Sequence, residues 1–235
     1  MPSHEIVSRE EWVNARQALL AEEKKLTRLR DKLSIERRNL PWVKVEKEYV
    51  FEGSGGQETL ADLFAGRSQL VIYHFMYGPD WEAGCKSCSF WADNFNGIDV
   101  HLNQRDVTFA VISRAPLPTL QAFSKRLGWG FKWLSSNGSD FNFDYDASFR
   151  PEDLEAGNAT YNYSKNTMSM TELPGISVFF KDEEGSVFHT YSCYSRGLDM
   201  LNTTYNFLDL VPKGRDEESL DHTMSWLRLN DEYDG

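Results

Sequence analysis

Apolar side chains recur every seven residues from Trp12 through Leu19, Leu26 and Leu33 to Leu40, with Leu29 beside them. That spacing predicts one long helix with a single apolar seam. Ser8 and Glu11 stand three apart just ahead of the seam, which is the spacing of a capping box. Pro41 stops the helix, because a proline ring cannot continue it. The companion heptad positions hold Ala15, Glu22 and Glu36, so a long coiled coil is not sustained. The seam either packs on the helix's own domain or supplies a homodimer contact.

Beyond Pro41 the period changes. Val43, Val45, Tyr49 and Phe51 alternate with Lys44, Glu46 and Glu48, which predicts one half-buried strand. Residues 53–56, Gly-Ser-Gly-Gly, mark a turn; no Lys-Ser/Thr ending follows to make them a phosphate loop. Residues 70–76 are an almost continuous apolar run, as in a central strand buried on both faces. Trp91, Phe95, Ile98 and Leu102 then follow helical spacing, and residues 107–112 form a second buried strand, completing a βαβ unit. A helix is expected over residues 117–127, ending near Gly128. After a short strand at 131–134 comes a long irregular insertion reaching Met170. Residues 176–180 and 186–191 flank a turn at 182–185 and predict a hairpin. A last helix is expected over 197–208, and the acidic tail beyond Pro212 reads as loose.

These elements predict an α/β chain with a mixed central sheet flanked by helices. Its organisation is an N-terminal helical extension (1–41), a main domain (42–212) with a long insertion before the C-terminal hairpin, and an acidic tail (213–235). A βαβ unit followed by an antiparallel hairpin is the arrangement of the thioredoxin fold.

Charge and cysteine usage narrow the chemistry. The 235 residues carry 25 basic and 36 acidic side chains, a net charge of −11. Nucleic acid is a poor partner for such a surface, since nonspecific affinity comes mainly from Lys and Arg on phosphates. The first residues lack the apolar core of a secretory signal, and no run approaches the roughly 20 apolar residues of a membrane span. A cytoplasmic location with no membrane partner is therefore expected. Three cysteines are too few for a secreted disulfide framework. In a reducing compartment a close pair is catalytic, redox-sensing or metal-binding.

That pair is Cys85 and Cys88, separated by Lys86 and Ser87, where the chain leaves a buried strand for a helix. Two cysteines spaced this way share one turn and can close a small disulfide ring. The thiolate is the reactive species, and the positive end of a helix favours it. Lys86 adds a nearby positive charge. Cys85 is expected to be the nucleophile and Cys88 the thiol that resolves the mixed disulfide. The competing readings are a redox-silent binding site and a zinc site, though no second CxxC or His pair supplies the remaining zinc ligands. No cofactor is called for. Cys193 reads as a structural thiol, and Tyr77, Trp81 and Trp129 are candidates to wall the site.

The chain as a whole resembles a bacterial family of predicted dithiol–disulfide oxidoreductases, domain of unknown function 899, in the thioredoxin-like superfamily. The matching stretches lie at residues 38–42, 73–78, 84–88, 194–201, 208–215 and 231–233. The resemblance implies exchange with a protein or small-molecule thiol or disulfide. Alignment with thioredoxins puts His74 where they carry a buried carboxylate that deprotonates the second thiol. A His suits a proton relay, although a lone His in an apolar strand is also an ordinary core residue. The same alignment puts Pro174 near the position of a cis-proline opposite the CxxC, offset one residue by Gly175. The dipeptide Lys86-Ser87 and Trp81, four residues before Cys85, depart from thioredoxins and imply a different substrate groove. Peroxiredoxins share the fold, but their motif needs a proline and a hydroxyl residue where this chain has Gly78 and Glu82. A thiol peroxidase and a non-catalytic binding module are the alternative functions.

Overall fold

The computed structural model describes residues 4–165 and 168–233, in two compact units that divide between Pro41 and Trp42. The first is α1 (Arg9–Arg38), whose capping box forms as expected. The Glu11 N–H donates to Ser8 Oγ at 3.3 Å and the Ser8 N–H to Glu11 Oε2 at 2.9 Å. No residue of α1 is buried.

The second unit is built on β4 (Gln69–His74), β5 (Val107–Ser113), β9 (Gly175–Lys181) and β10 (Val187–Tyr194). β4 runs parallel to β5 and antiparallel to β9, which pairs antiparallel with β10. β6 (Trp133–Ser135) extends the sheet parallel to β5. β1 (Val43–Lys44), β2 (Val50–Gly53) and β3 (Gly56–Thr59) complete eight strands in the order β1-β10-β9-β4-β5-β6-β2-β3. The parallel crossover and antiparallel hairpin make this a thioredoxin-like fold.

Alternation along β4 divides the core. Leu70 and Ile72 pack with Phe64, Phe141 and Phe179 on one side of the sheet. Val71 and Tyr73 face the other side, toward α2 (Lys86–Ala92) and α4 (Leu117–Leu127), among Phe75, Trp91, Phe123 and Trp129. β4 is therefore buried on both faces, as an unbroken apolar run requires.

Several expected elements divide. The strand read over 43–51 is two strands at opposite parts of the sheet: β1 pairs with β10, and β2 lies between β6 and β3. Alternation marks the face a residue shares; it carries no information on which strand lies alongside. The helix read from Trp91 to Leu102 divides: α2 ends at Ala92, residues 93–97 form turns, and Gly97 at φ +81° redirects the chain before α3 (Asp99–Asn103). The helix read over 197–208 is a 3₁₀ segment, Ser195–Leu201, followed by α7 (Thr203–Leu208). Asn202 separates them, and its buried side chain caps α7 by accepting the Tyr205 N–H at 2.9 Å. The insertion holds α5 (Phe141–Asp144), α6 (Pro151–Ala156) and a small hairpin of β7 (Thr160–Tyr161) and β8 (Ser164–Lys165).

Residues beyond Pro212, read as loose, are packed instead. Leu227 and Leu229 are each 2% exposed, and Arg126 holds Asp231 at 2.6 Å and Glu232 at 3.1 Å. Apolar side chains this sparse give no period, yet each covers part of the aromatic core. Leu229→Ala should lower the free energy of unfolding by about 2–5 kcal/mol, as for other buried leucines, in a denaturant titration. A loose tail would leave the midpoint unmoved.

Candidate functional site

The C-terminal end of β4 carries the site. Past His74, the Phe75 N–H still bonds the Ile112 carbonyl at 2.9 Å. The chain then loops out through residues 77–84 and returns, where the Cys85 N–H donates to the Met76 carbonyl at 3.1 Å. The other backbone polar group of Met76 is also used: its N–H donates to the Cys88 sulfur at 3.5 Å. One residue thus fixes both cysteines against the end of the central strand. Gly84 lets the backbone pass, since a Cβ there would lie 2.8 Å from Phe75 and 3.1 Å from Phe123.

Cys85 is the N-cap of α2 and Cys88 lies in its first turn. Both are free thiols, Cys85 half-buried and Cys88 2% exposed. Their acidities are driven apart. A hydrogen bond from the Cys88 thiol, then the Cys88 and Ser87 N–H groups and the Ser87 hydroxyl, push Cys85 down to about 6 against the cost of burial. The neutral thiol makes no capping bond of its own; these donors serve the thiolate. Cys88 goes the opposite way, raised by burial and then by holding its proton for Cys85. Near pH 7 the accessible sulfur is therefore anionic and the buried one protonated.

His74 does not reach these sulfurs. Neighbouring residues on a strand face opposite sides, so His74 enters the far core. There its Nε2 meets Ser177 Oγ at 2.9 Å and its ring stacks on Phe141. Burial lowers its pKa to about 3, which keeps it neutral and removes it as a proton relay near neutrality. The strand residue on the Cys88 side of the sheet is Tyr73, which shares its core cluster and whose hydroxyl favours the Cys88 thiolate. The sequence reading missed Tyr73, and strand parity was the only signal for it. It separates Tyr73 from His74 but does not say which of them the helix covers.

The other expected groove residues are spread out. Trp81 lies half-buried over Gly78, where a Cβ would come 2.8 Å from the indole nitrogen. Tyr77 is buried against Phe123 and donates to the Glu82 carbonyl at 3.3 Å, so it braces the loop from within. Lys86 is exposed. Its charge is felt by Glu232, which the Leu229 N–H and Arg126 hold ionised; the groups that favour the Cys85 thiolate are Cys88 and Ser87. Pro174 directly precedes Gly175, the partner of His74 in the sheet, so it lies at the CxxC end. Its peptide bond is trans, as are all those of the described residues, in contrast to the expected cis-proline. The Pro174 carbonyl accepts the Tyr161 hydroxyl at 2.7 Å. Nearby, Arg114 pairs with the buried Glu172 at 2.7 Å, and the next residue, Ala115, bonds the Tyr77 carbonyl at 2.8 Å. Cys193 lies half-buried by the 3₁₀ segment, 3.8 Å from the Gly197 carbonyl. Trp129 is buried in the aromatic core and donates to Asp93 at 2.7 Å.

Among the described residues no cluster of three or more His, Cys, Asp or Glu side chains could hold a metal ion. No described helix is long and apolar enough to cross a membrane.

Residues 1–233 match a family described as "Bacterial protein of unknown function (DUF899)". No curated protein matches. Similar solved structures include peroxidoxin BcpB from Mycobacterium tuberculosis, at 12% identity and TM-score 0.45, covering 70% of this chain and 95% of that one. A mutant of PrxQ from Xylella fastidiosa is 14% identical at TM-score 0.45, covering 72% and 96%. A putative thiol:disulfide interchange protein DsbE from Chlorobium tepidum is 11% identical at TM-score 0.39, covering 71% and 98%.

In the reduced protein, iodoacetamide should modify Cys85 at a rate that rises with pH through a midpoint of about 6. Cys88 should stay unmodified until well above the roughly 8.5 of a free cysteine. Mass spectrometry of quenched samples reads both; equal labelling of the two thiols would contradict the asymmetry. His74→Ala should leave the Cys85 midpoint in place while lowering the denaturation midpoint, because the ring is buried and bonded on the other side of the sheet.

Proposed function

We propose that this chain, which belongs to the family DUF899, exchanges dithiols and disulfides through Cys85 and Cys88. The observation that carries the reading is the pairing, on one helical turn, of an accessible low-pKa thiol with a buried high-pKa one.

The roles follow from that asymmetry. The Cys85 thiolate attacks one sulfur of a partner disulfide. A Cys85–partner disulfide forms, and the partner's other sulfur leaves as a thiolate and takes a proton. Cys88 then gives up its proton and attacks the Cys85 sulfur, closing the Cys85–Cys88 disulfide and releasing the second partner thiol. The partner gains two electrons and the cysteine pair loses two. A dithiol donor of lower potential returns the pair to its reduced form, and the reverse sequence oxidises a partner. The second step needs an anion on a buried sulfur, and the Tyr73 hydroxyl with the Met76 N–H supports it there. Protein and small-molecule disulfides both suit the chemistry. Ser87, beside the nucleophile, contributes to its acidity through its N–H and its hydroxyl.

Cys88→Ser should trap a covalent Cys85–partner adduct that added thiol releases. Cys85→Ser should trap none and should not turn over a model disulfide. Adducts in neither variant, with tight partner binding retained, would mean a binding module; consumption of hydrogen peroxide without disulfide turnover would mean a peroxidase. Tyr73→Phe should slow ring closure about tenfold, the scale of one hydrogen bond to a charged group. Stopped-flow measurement should show the mixed disulfide accumulating while the first step keeps its rate.

A further inference from the structure

α1 is 30 residues long and buries none of them. Nothing within its own unit covers the seam: Trp12, Leu19, Leu26 and Leu33 are between 40% and 59% exposed, as is Leu40 just beyond the helix. An isolated amphipathic helix draws most of its stability from whatever covers its apolar face, so the seam calls for a partner.

Charge identifies that partner. From Arg9 to Glu23 the helix carries four acidic and two basic residues; from Lys24 to Arg38 it carries seven basic and two acidic. The two halves are complementary to each other, and therefore to a second copy lying the opposite way. With Leu26 facing Leu26 at the centre, Leu19 lies opposite Leu33 and Trp12 opposite Leu40. The same register brings Glu22 beside Arg30 and Glu36 beside Arg16. Glu22 and Glu36 are the residues that interrupt the second heptad seam, and here each finds a guanidinium. A parallel pair in register would instead press Glu22 on Glu22 and Glu36 on Glu36 and leave both without a guanidinium, whereas the like charges the antiparallel register opposes, Lys24 and Arg28, lie away from the seam. Arg16 and Glu36 now hold Glu23 and Lys32 within the helix. Exposed pairs of this kind are worth little and exchange readily.

We propose that α1 pairs antiparallel with α1 of a second copy of this chain, centred on Leu26. The whole protein should then scatter light in solution as twice the 27.1 kDa of one chain. Leu26→Lys should give a monomer with unchanged disulfide exchange. Orientation is read in a chain whose three cysteines are replaced by Ser. A mixture of its Leu19→Cys and Leu33→Cys forms should oxidise to a linked dimer at least tenfold faster than either form alone. A monomer at tens of micromolar for the unmodified chain would overturn the proposal. So would a dimer that survives Leu26→Lys, or Leu19→Cys linking to itself as fast as to Leu33→Cys.

Discussion

The site depends on the two backbone polar groups of one residue, Met76, at the end of the central strand. The Met76 carbonyl accepts the Cys85 N–H, and the Met76 N–H donates to the Cys88 sulfur. A ten-residue excursion therefore returns to the point where it left the sheet. Without this return the loop would deliver α2 at no defined height above the strand. With it, one sulfur sits at the rim, where the Cys88 thiol and the first amides of α2 favour its anion, and the other is buried beside Tyr73. Burial penalises a thiolate, whereas unpaired amides at a helix start reward one. Three residues along one turn are enough to separate the two effects.

The sheet provides the rigidity this arrangement needs. β4 is paired on both sides, parallel to β5 and antiparallel to β9, so its end cannot shift without breaking two ladders. Its two faces feed separate cores. One is a dense aromatic layer under α2 and α4. The other holds a buried polar chain from His74 through Ser177 and Ser192 to His189. Buried hydroxyls and imidazoles persist because they satisfy one another. This chain reinforces the β9–β10 hairpin on the face away from the thiols. The loop between β4 and α2 is braced from inside by Tyr77 and from the side by the Ala115 N–H on the Tyr77 carbonyl.

Much of the architecture could be read from local pattern. The α1 capping box, the buried β4 and β5 runs, α4 with its glycine stop, and the β9–β10 hairpin each declare themselves within a few residues. So does the pair of cysteines at a strand-to-helix junction. Elements marked only by spacing were less legible. The turn over residues 93–97 and the cap at Asn202 each interrupt a helix whose apolar period continues through them, because period reports which face is buried and not whether the backbone is continuous.

Local pattern alone is enough to place Cys85 and Cys88 on one helical turn, to lead an apolar strand into them, and to give α1 one apolar seam. Long-range packing settled that Tyr73 and not His74 lies on the Cys88 side, that Leu229 covers the aromatic core, and that residues 43–51 serve two separate parts of the sheet. The physical reason is common to all three. Alternation and helical period are set by backbone geometry within a few residues, so they report which side chains share a face. What covers that face is set by chain segments tens of residues away.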